Sequence, residues 1–255
     1  MQSPFELRKK ATINISEKIE IRIRKLRGRI IRIFLKEKGS YILPQIHKDE
    51  FSKMIQQILN TFTITNLLEI GSSSGEGSTS TIVNSLNKKF YNLYLLEIDP
   101  LRNKLLKLRY KRNSMVKVLP YSSISLSEYP ADNEIIKFYK ENQTNLNRYD
   151  ISIVLKWLKD EKNFLESLEV RDIGGIDFIK HEFGIEFFDF VLIDGSEFTG
   201  YVEFQHIIGA KFILLDDVNA FKSNKAYNQL LANSNYKLYY ENLKLRNGSA
   251  IFQKV

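Results

Sequence analysis

Hydrophobic positions change their period along this chain, and the changes mark out its elements. Over 19–33, Ile19, Ile23, Leu26, Ile30 and Ile33 recur at spacings of four, three, four and three. That is one face of a helix, with Arg22, Lys25, Arg29 and Arg32 elsewhere on the wheel. A rival period of two runs through Ile19-Glu20-Ile21-Arg22-Ile23-Arg24, and isoleucine favours strands, but the longer repeat predicts an amphipathic helix. From position 48 onward helical stretches alternate with short β-rich runs, as parallel strands joined by crossover helices do. The predicted strands are Thr65 to Ile70, Asn92 to Ile98, Met115 to Tyr121, Phe188 to Asp194, Lys211 to Leu215, Tyr236 to Leu243 and Ser249 to Gln253. Helical stretches separate the first five, whereas Arg246-Asn247-Gly248 joins the last two in a turn that favours an antiparallel hairpin. A doubly wound α/β fold follows, with a mostly parallel seven-stranded sheet that ends in a reversed strand.

A long segment, Ser122 to Phe187, parts the third and fourth strands and holds helical candidates at Asn133 to Asn142, Arg148 to Leu168 and Ile176 to Phe183. It exceeds one crossover helix. An insertion over the C-terminal edge of a parallel sheet is placed to build a substrate wall or lid. The expected organisation is a basic helical arm over 1–47 and one α/β domain over 48–255, with the helical insertion at about 122–187.

Composition narrows the chemistry. With 255 residues, 43% of them hydrophobic, the chain can bury one sizeable core. It has no cysteine, which excludes disulfides, thiolate metal sites and a cysteine nucleophile. The formal charge of +8 is local: residues 1–40 hold twelve Lys and Arg against four Glu, and the remainder holds 26 of each sign. A neutral body need not attract polyanions, while a basic amphipathic arm suits an anionic membrane surface or a second subunit. Arg8, Lys9 and Lys10 are not followed by an apolar run, and no run reaches spanning length. The expectation is a cytoplasmic protein whose arm is able to lie on the inner face of a membrane.

The first strand runs into Glu69-Ile70-Gly71-Ser72-Ser73-Ser74-Gly75-Glu76-Gly77-Ser78, and Thr79 then begins a helix. Strand, glycine-rich turn and helix N-terminus together set backbone N–H groups and a positive dipole end around a polar ligand. The Gly-x-x-x-Gly-x-Gly spacing differs from the Gly-x-Gly-x-x-Gly that packs a pyrophosphate, which disfavours a nicotinamide oxidoreductase. In a doubly wound sheet the second strand ends beside this loop, in Glu97-Ile98-Asp99-Pro100. A carboxylate there can accept hydrogen bonds from the vicinal hydroxyls of a ribose, and Glu97 is the better placed, since Asp99 before Pro100 suits a helix cap. The fourth strand delivers Asp194-Gly195-Ser196-Glu197, and the fifth delivers Asp216-Asp217-Val218-Asn219. Unpaired carboxylates at that density repel, so a cation or a basic substrate is needed to hold them together. Asp194, Asp216 and Asp217 offer hard oxygen ligands to Mg²⁺; the alternative is that Asp216 or Asp217 caps the following loop. Glu197 is the candidate for taking a proton from a hydroxyl. His47, His181 and His206 are scattered rather than spaced as ligands, although His206 lies one helix beyond Asp194. Phe198, Tyr201 and Trp157 are candidates either for a pocket wall or for the core.

Together these residues resemble the cofactor site of the class I S-adenosylmethionine-dependent methyltransferases, from about Asn66 to the C-terminus with the insertion interrupting. The resemblance implies a Rossmann-like fold. It implies that the loop with Glu69, Gly71, Ser72, Gly75, Gly77 and Ser78 wraps the methionine part of the cofactor, that Glu97 holds the ribose and that Asp194 also borders the cofactor. The acid that many relatives use for the adenine amino group is missing from Tyr121-Ser122-Ser123, which leaves that contact to Ser122 or to backbone. Among relatives the pattern is similar to the metal-dependent small-molecule O-methyltransferases, which implies magnesium at Asp194, Asp216 and Asp217, with Asp194 and Glu197 at the reacting centre. Ser196 departs from the His or Asp that sugar-methylating relatives often carry at that position. The implied activity is methyl transfer from S-adenosylmethionine to a hydroxyl of a sugar or other small natural product. Two alternatives stand beside it: a nucleic-acid methyltransferase using the basic arm for phosphates, against which the neutral body and the lack of an Asn-Pro-Pro-aromatic motif weigh, and a noncatalytic module of the same fold.

Overall fold

A computed structural model describes residues 41–42, 44–86, 89–168 and 173–255. The helix expected over 19–33 and the rest of the basic arm to residue 40 lie outside the described residues.

All seven expected strands are present: β1 (Asn66–Ile70), β2 (Asn92–Leu96), β3 (Val116–Leu119), β4 (Phe190–Ile193), β5 (Phe212–Asp216), β6 (Tyr236–Asn242) and β7 (Ser249–Lys254). They form one sheet in the order β3-β2-β1-β4-β5-β7-β6. The first five pair in parallel, and β7 runs antiparallel to both β5 and β6. The chain therefore winds outward from β1 to β3, crosses back to β4 on the other side of β1, and winds out again. The change of direction falls between β1 and β4, where the two following loops part and leave a crevice for a ligand.

Side chains alternate across this sheet, so each central strand feeds two cores. Leu67, Leu93, Leu95, Phe190, Leu192, Phe212 and Leu214 enter one, with Phe51, Ile55 and Ile58 of α1 (Glu50–Thr61), Ile82 of α2 (Ser78–Ser85) and Leu106 of α3 (Pro100–Tyr110). Leu68, Ile70, Tyr94, Leu96, Val191, Ile193, Ile213 and Leu215 enter the other. That second core is closed by α6 (Gly175–Phe183), α7 (Gly200–Ile207) and α8 (Phe221–Leu231), and by the insertion helices α4 (Asp132–Glu141) and α5 (Ile151–Glu166). Burial of each of these large apolar side chains contributes about 1.5–3 kcal/mol, which is why the double-sided pattern dictates the layers.

Element ends have local causes. Helix α1 starts where the Asp49 carboxylate accepts from Ser52 N at 2.7 Å, and α3 where Asp99 accepts from Arg102 N at 3.0 Å with Pro100 in the first turn. Helix α5 starts three residues later than the expected Arg148, because Asp150 caps it through Ser152 N and Asn145–Arg148 forms a separate 3₁₀ turn. Among the described residues no helix is long and apolar enough to cross a membrane.

Candidate active site

At the end of β1 the chain turns through Gly71, whose φ is +85°. A Cβ on that residue would stand 2.3 Å from the carbonyl oxygen of Asp194, so glycine alone lets the β1 loop pass against the end of β4. The loop is then gripped from α3. Arg109 Nε donates to the Ser74 carbonyl at 3.0 Å, Tyr110 Oη donates to the Gly75 carbonyl at 2.9 Å, and Arg109 pairs with Glu76 at 2.7 Å. Tyr41 Oη donates to the same Glu76 carboxylate. These contacts fix a turn whose Ser73 lies in the left-handed region at φ +52° and keeps a buried, unpartnered Oγ.

Glu97 stands beside this loop at the end of β2, 4% exposed. Its Oε2 accepts from Ser73 N at 2.8 Å, and its Oε1 accepts from Asp99 N at 2.8 Å and Arg102 Nη2 at 3.0 Å. A carboxylate has about four acceptor positions, so the three donors orient it and leave about one position, on Oε2, for a ligand hydroxyl. Strand β2 ends at Leu96, two residues before the expected Ile98, although Glu97 N still donates to the Leu119 carbonyl at 3.3 Å.

A cavity of 670 Å³ opens between these two loops and the insertion. Of the residues expected to hold a cofactor, Gly71, Ser72, Gly77, Ser78, Glu97, Ser122 and Asp194 line it. Glu69 and Gly75 lie outside that lining. Glu69 is wholly buried, accepts from Thr79 Oγ1 at 2.6 Å and so ties β1 to α2; burial raises its proton affinity. Gly75 faces Leu106 and Tyr110 of α3, where a Cβ would come within 2.7–2.8 Å of their side chains. Glycine spacing alone could not tell a ligand-facing glycine from one that packs under a helix.

Across the cavity the insertion supplies Tyr129, Trp157, Glu161, Phe164 and Leu165, facing Ser196, Glu197 and Phe198 from the β4 loop. Glu161 accepts from Tyr129 Oη at 2.9 Å, and its carboxyl is raised above the usual range by burial, with the negative charge of Glu197 adding to the effect. Sequence reasoning passed over Glu161. Its neighbour Asp160, exposed and paired with Lys156 one turn away, gives that stretch of helix the look of a solvated face. Trp157 and Phe198 line the cavity, while Tyr201 is absent from the wall. His206 turns from the site to bridge Asp177 (Nδ1···Oδ1 2.9 Å) and Glu128 (Nε2···Oε1 2.6 Å).

The acid cluster is real but already compensated. One carboxylate oxygen from each of Asp194, Asp216 and Asp217 lies within 4.8 Å of the others, and only Asp194 reaches the cavity. Lys222 Nζ, on a side chain 1% exposed, sits 2.8 Å from Asp217 Oδ2 and 3.1 Å from Asp194 Oδ1. Arg246 Nη2 lies 2.7 Å from Asp216 Oδ1, and Asn247 Nδ2 donates to Asp217 Oδ1 at 2.8 Å. Magnesium needs oxygen ligands at about 2.0–2.1 Å in a near-octahedral shell, and an ammonium has no lone pair to offer it. With Lys222 between two of the three acids, the residues do not fit a magnesium ion. The cation that the sequence pattern demands comes from the chain itself, 28 residues after Asp194 and on helix α8, so strand-end patterns could not disclose it.

No protein-family model matches the sequence, and no curated protein matches it. Among solved structures the chain is similar to cofactor-bound Rv0187 from MTB, at 11% identity over 91% of this chain and 89% of that one, with a TM-score of 0.50. A methyltransferase from Geobacter sulfurreducens matches at 8% identity over 83% and 81%, with a TM-score of 0.48. The O-methyltransferase from Bacillus cereus in complex with SAH matches at 14% identity over 90% and 97%, with a TM-score of 0.47. With its seven strands, parallel centre and reversed final strand, the chain has a Rossmann-like α/β fold, similar to that of the cofactor-bound Rv0187 structure.

Proposed function

We propose that this protein is an S-adenosylmethionine-dependent methyltransferase acting on a hydroxyl of a small molecule, such as a sugar or another natural product. One observation carries the reading: the glycine loop and the oriented Glu97 carboxylate border a single cavity at the point where the sheet reverses its winding. At 670 Å³ that cavity is of the size that takes a cofactor and a small acceptor together. Glu97 has an acceptor position for a ribose hydroxyl, and the buried Ser73 Oγ lacks a protein partner. Among the described residues the cavity lining includes Glu76, Glu97, Asp99, Asp160, Glu161, Asp194 and Glu197 against the single cation Arg102. Such a lining favours a cationic sulfonium and disfavours the phosphates of a nucleic acid.

When bound, S-adenosylmethionine supplies a methyl group already activated on sulfur. The chain's part is alignment and proton removal. Gly71 to Ser78 and Glu97 hold one end of the cavity, and Trp157, Phe164, Leu165 and Phe198 exclude water from the other. Bound there, the cofactor would give its methyl group to the acceptor oxygen and leave as S-adenosylhomocysteine, and a carboxylate of this chain would take the hydroxyl proton. Glu161 suits that role better than Glu197 or Asp194: it lies on the acceptor side with its proton affinity raised by burial, while Asp194 is held by Lys222. The test is transfer of labelled methyl from S-adenosylmethionine to a panel of neutral hydroxyl compounds, with a nucleic-acid arm run in parallel. Labelling of nucleic acid and of none of the small molecules would reverse the assignment.

A further inference from the structure

Lys222 is buried, charged and placed between two acids, yet the cavity never touches it. Its ammonium lies 2.8 Å from Asp217 and 3.1 Å from Asp194, and burial, which would lower its proton affinity, is outweighed by Asp217 and Asp194, which hold it charged. The backbone locks it there. Gly200, the first residue of α7, packs so closely on Lys222 that a Cβ would come within 2.3 Å of its carbonyl oxygen. Asp217 is held in the left-handed region at φ +59°, its carbonyl accepting from Ala220 N at 3.0 Å and its Oδ1 accepting from Asn247. On the far side Arg246 pairs with Asp216 and also with Asp49 at the start of α1, so it too is anchored at both ends. Three carboxylates thus face two fixed cations. One buried oxygen of the cluster, Asp216 Oδ2, has no hydrogen-bond partner among the described residues, and burial together with the charge of Asp217 raises the proton affinity of Asp216.

We propose that Lys222 is a built-in replacement for a divalent cation, so that the acid cluster at the ends of β4 and β5 works without metal. Lys222 is a positioning residue: it touches no ligand and acts by holding Asp194 at the cavity edge. A consequence concerns the substrate. A metal-centred site selects acceptors with two oxygens that chelate, whereas this site places no such demand, and a lone hydroxyl suffices. The inference does not depend on which cofactor the cavity takes, because its test reads metal binding and melting.

Mn²⁺ is titrated into the full chain by electron paramagnetic resonance, and melting temperatures are taken with and without Mg²⁺. Wild type should show no stoichiometric Mn²⁺ site and no shift with Mg²⁺. Lys222→Met, which keeps the stem and removes the charge, should melt lower and gain both a Mn²⁺ site and a rise in melting temperature with Mg²⁺. A lysine that merely filled space would not create metal binding on removal. If Lys222→Met does not fold, wild type and Asp217→Asn decide the matter. One tight Mn²⁺ site in wild type that Asp217→Asn abolishes would overturn the proposal, and so would a folded Lys222→Met that binds no metal.

Discussion

Glu97→Ala separates a ligand-binding carboxylate from a loop brace, because in this structure Glu97 does both jobs. Removing the side chain takes the acceptor from Ser73 N (2.8 Å) and Asp99 N (2.8 Å) and leaves the Arg102 guanidinium without its partner at 3.0 Å. Each buried donor left unsatisfied costs about 1–3 kcal/mol. Taking the low end for the two backbone groups gives about 2 kcal/mol, or a melting temperature lower by about 4–8 °C for a chain of this size. The ribose contact is counted separately: a hydrogen bond to a charged acceptor contributes about 1.5–3 kcal/mol, which is about a 10- to 150-fold loss of affinity. Calorimetry with S-adenosylhomocysteine measures the second quantity and a melting curve the first. Asn103→Ala is the control, since Asn103 Nδ2 braces the Glu97 carbonyl at 2.9 Å without lining the cavity. It should melt lower with affinity nearly unchanged. A Glu97→Ala protein that melts lower but binds S-adenosylhomocysteine as wild type does would show that Glu97 only braces the loop.

Three other outcomes follow. Glu161→Gln keeps the shape of the side chain but cannot take a proton, so it should lower kcat by about 10²–10⁴ and leave S-adenosylhomocysteine affinity intact; Glu197→Gln should cost much less, and equal losses in the two would remove Glu161 from its role. The His206 bridge to Asp177 and Glu128 joins α6, α7 and the 3₁₀ turn before Tyr129, and its imidazole, which burial alone would make less basic, is made more basic by those two acids. A folded-state value above the unfolded one of about 6.5 means a contribution fully present below that pH and lost as pH rises through the folded value. Melting temperature against pH should therefore fall more steeply above pH about 6.5 for wild type than for His206→Ala, and parallel curves would exclude the bridge as a pH-sensitive clamp. Residues 1–40 carry the whole charge excess, so deletion of 1–35 should abolish salt-sensitive binding to vesicles containing anionic lipid. Equal binding by the truncated and full chains would shift that role to the body.

Periodicity made the sheet legible because each central strand buries both faces, as Leu67 and Leu68 or Phe190 and Val191 do, and leaves long unbroken apolar runs. The glycine loop and Glu97 were legible because a tight turn and a strand-end acid are local in sequence. What stayed hidden was set by tertiary contact. Gly75 is needed for helix packing, Glu69 for tying a strand to a helix, and both look like ligand residues until α2 and α3 are in place. Three acids called for a cation, but nothing in the strand ends pointed to Lys222 on α8 or Arg246 in the hairpin turn. Glu161 sits beside a solvent-exposed Lys156–Asp160 pair, so only the fold of the insertion shows that it faces the cavity.

The central claim is that the cavity between Gly71 and Glu97 holds S-adenosylmethionine. Native mass spectrometry of the gently purified protein, before and after incubation with S-adenosylmethionine, tests it most directly. The account predicts one equivalent of S-adenosylmethionine or S-adenosylhomocysteine bound to the folded chain, with occupancy reduced in Glu97→Ala. Folded protein that carries neither molecule and takes up neither at millimolar concentration would contradict it.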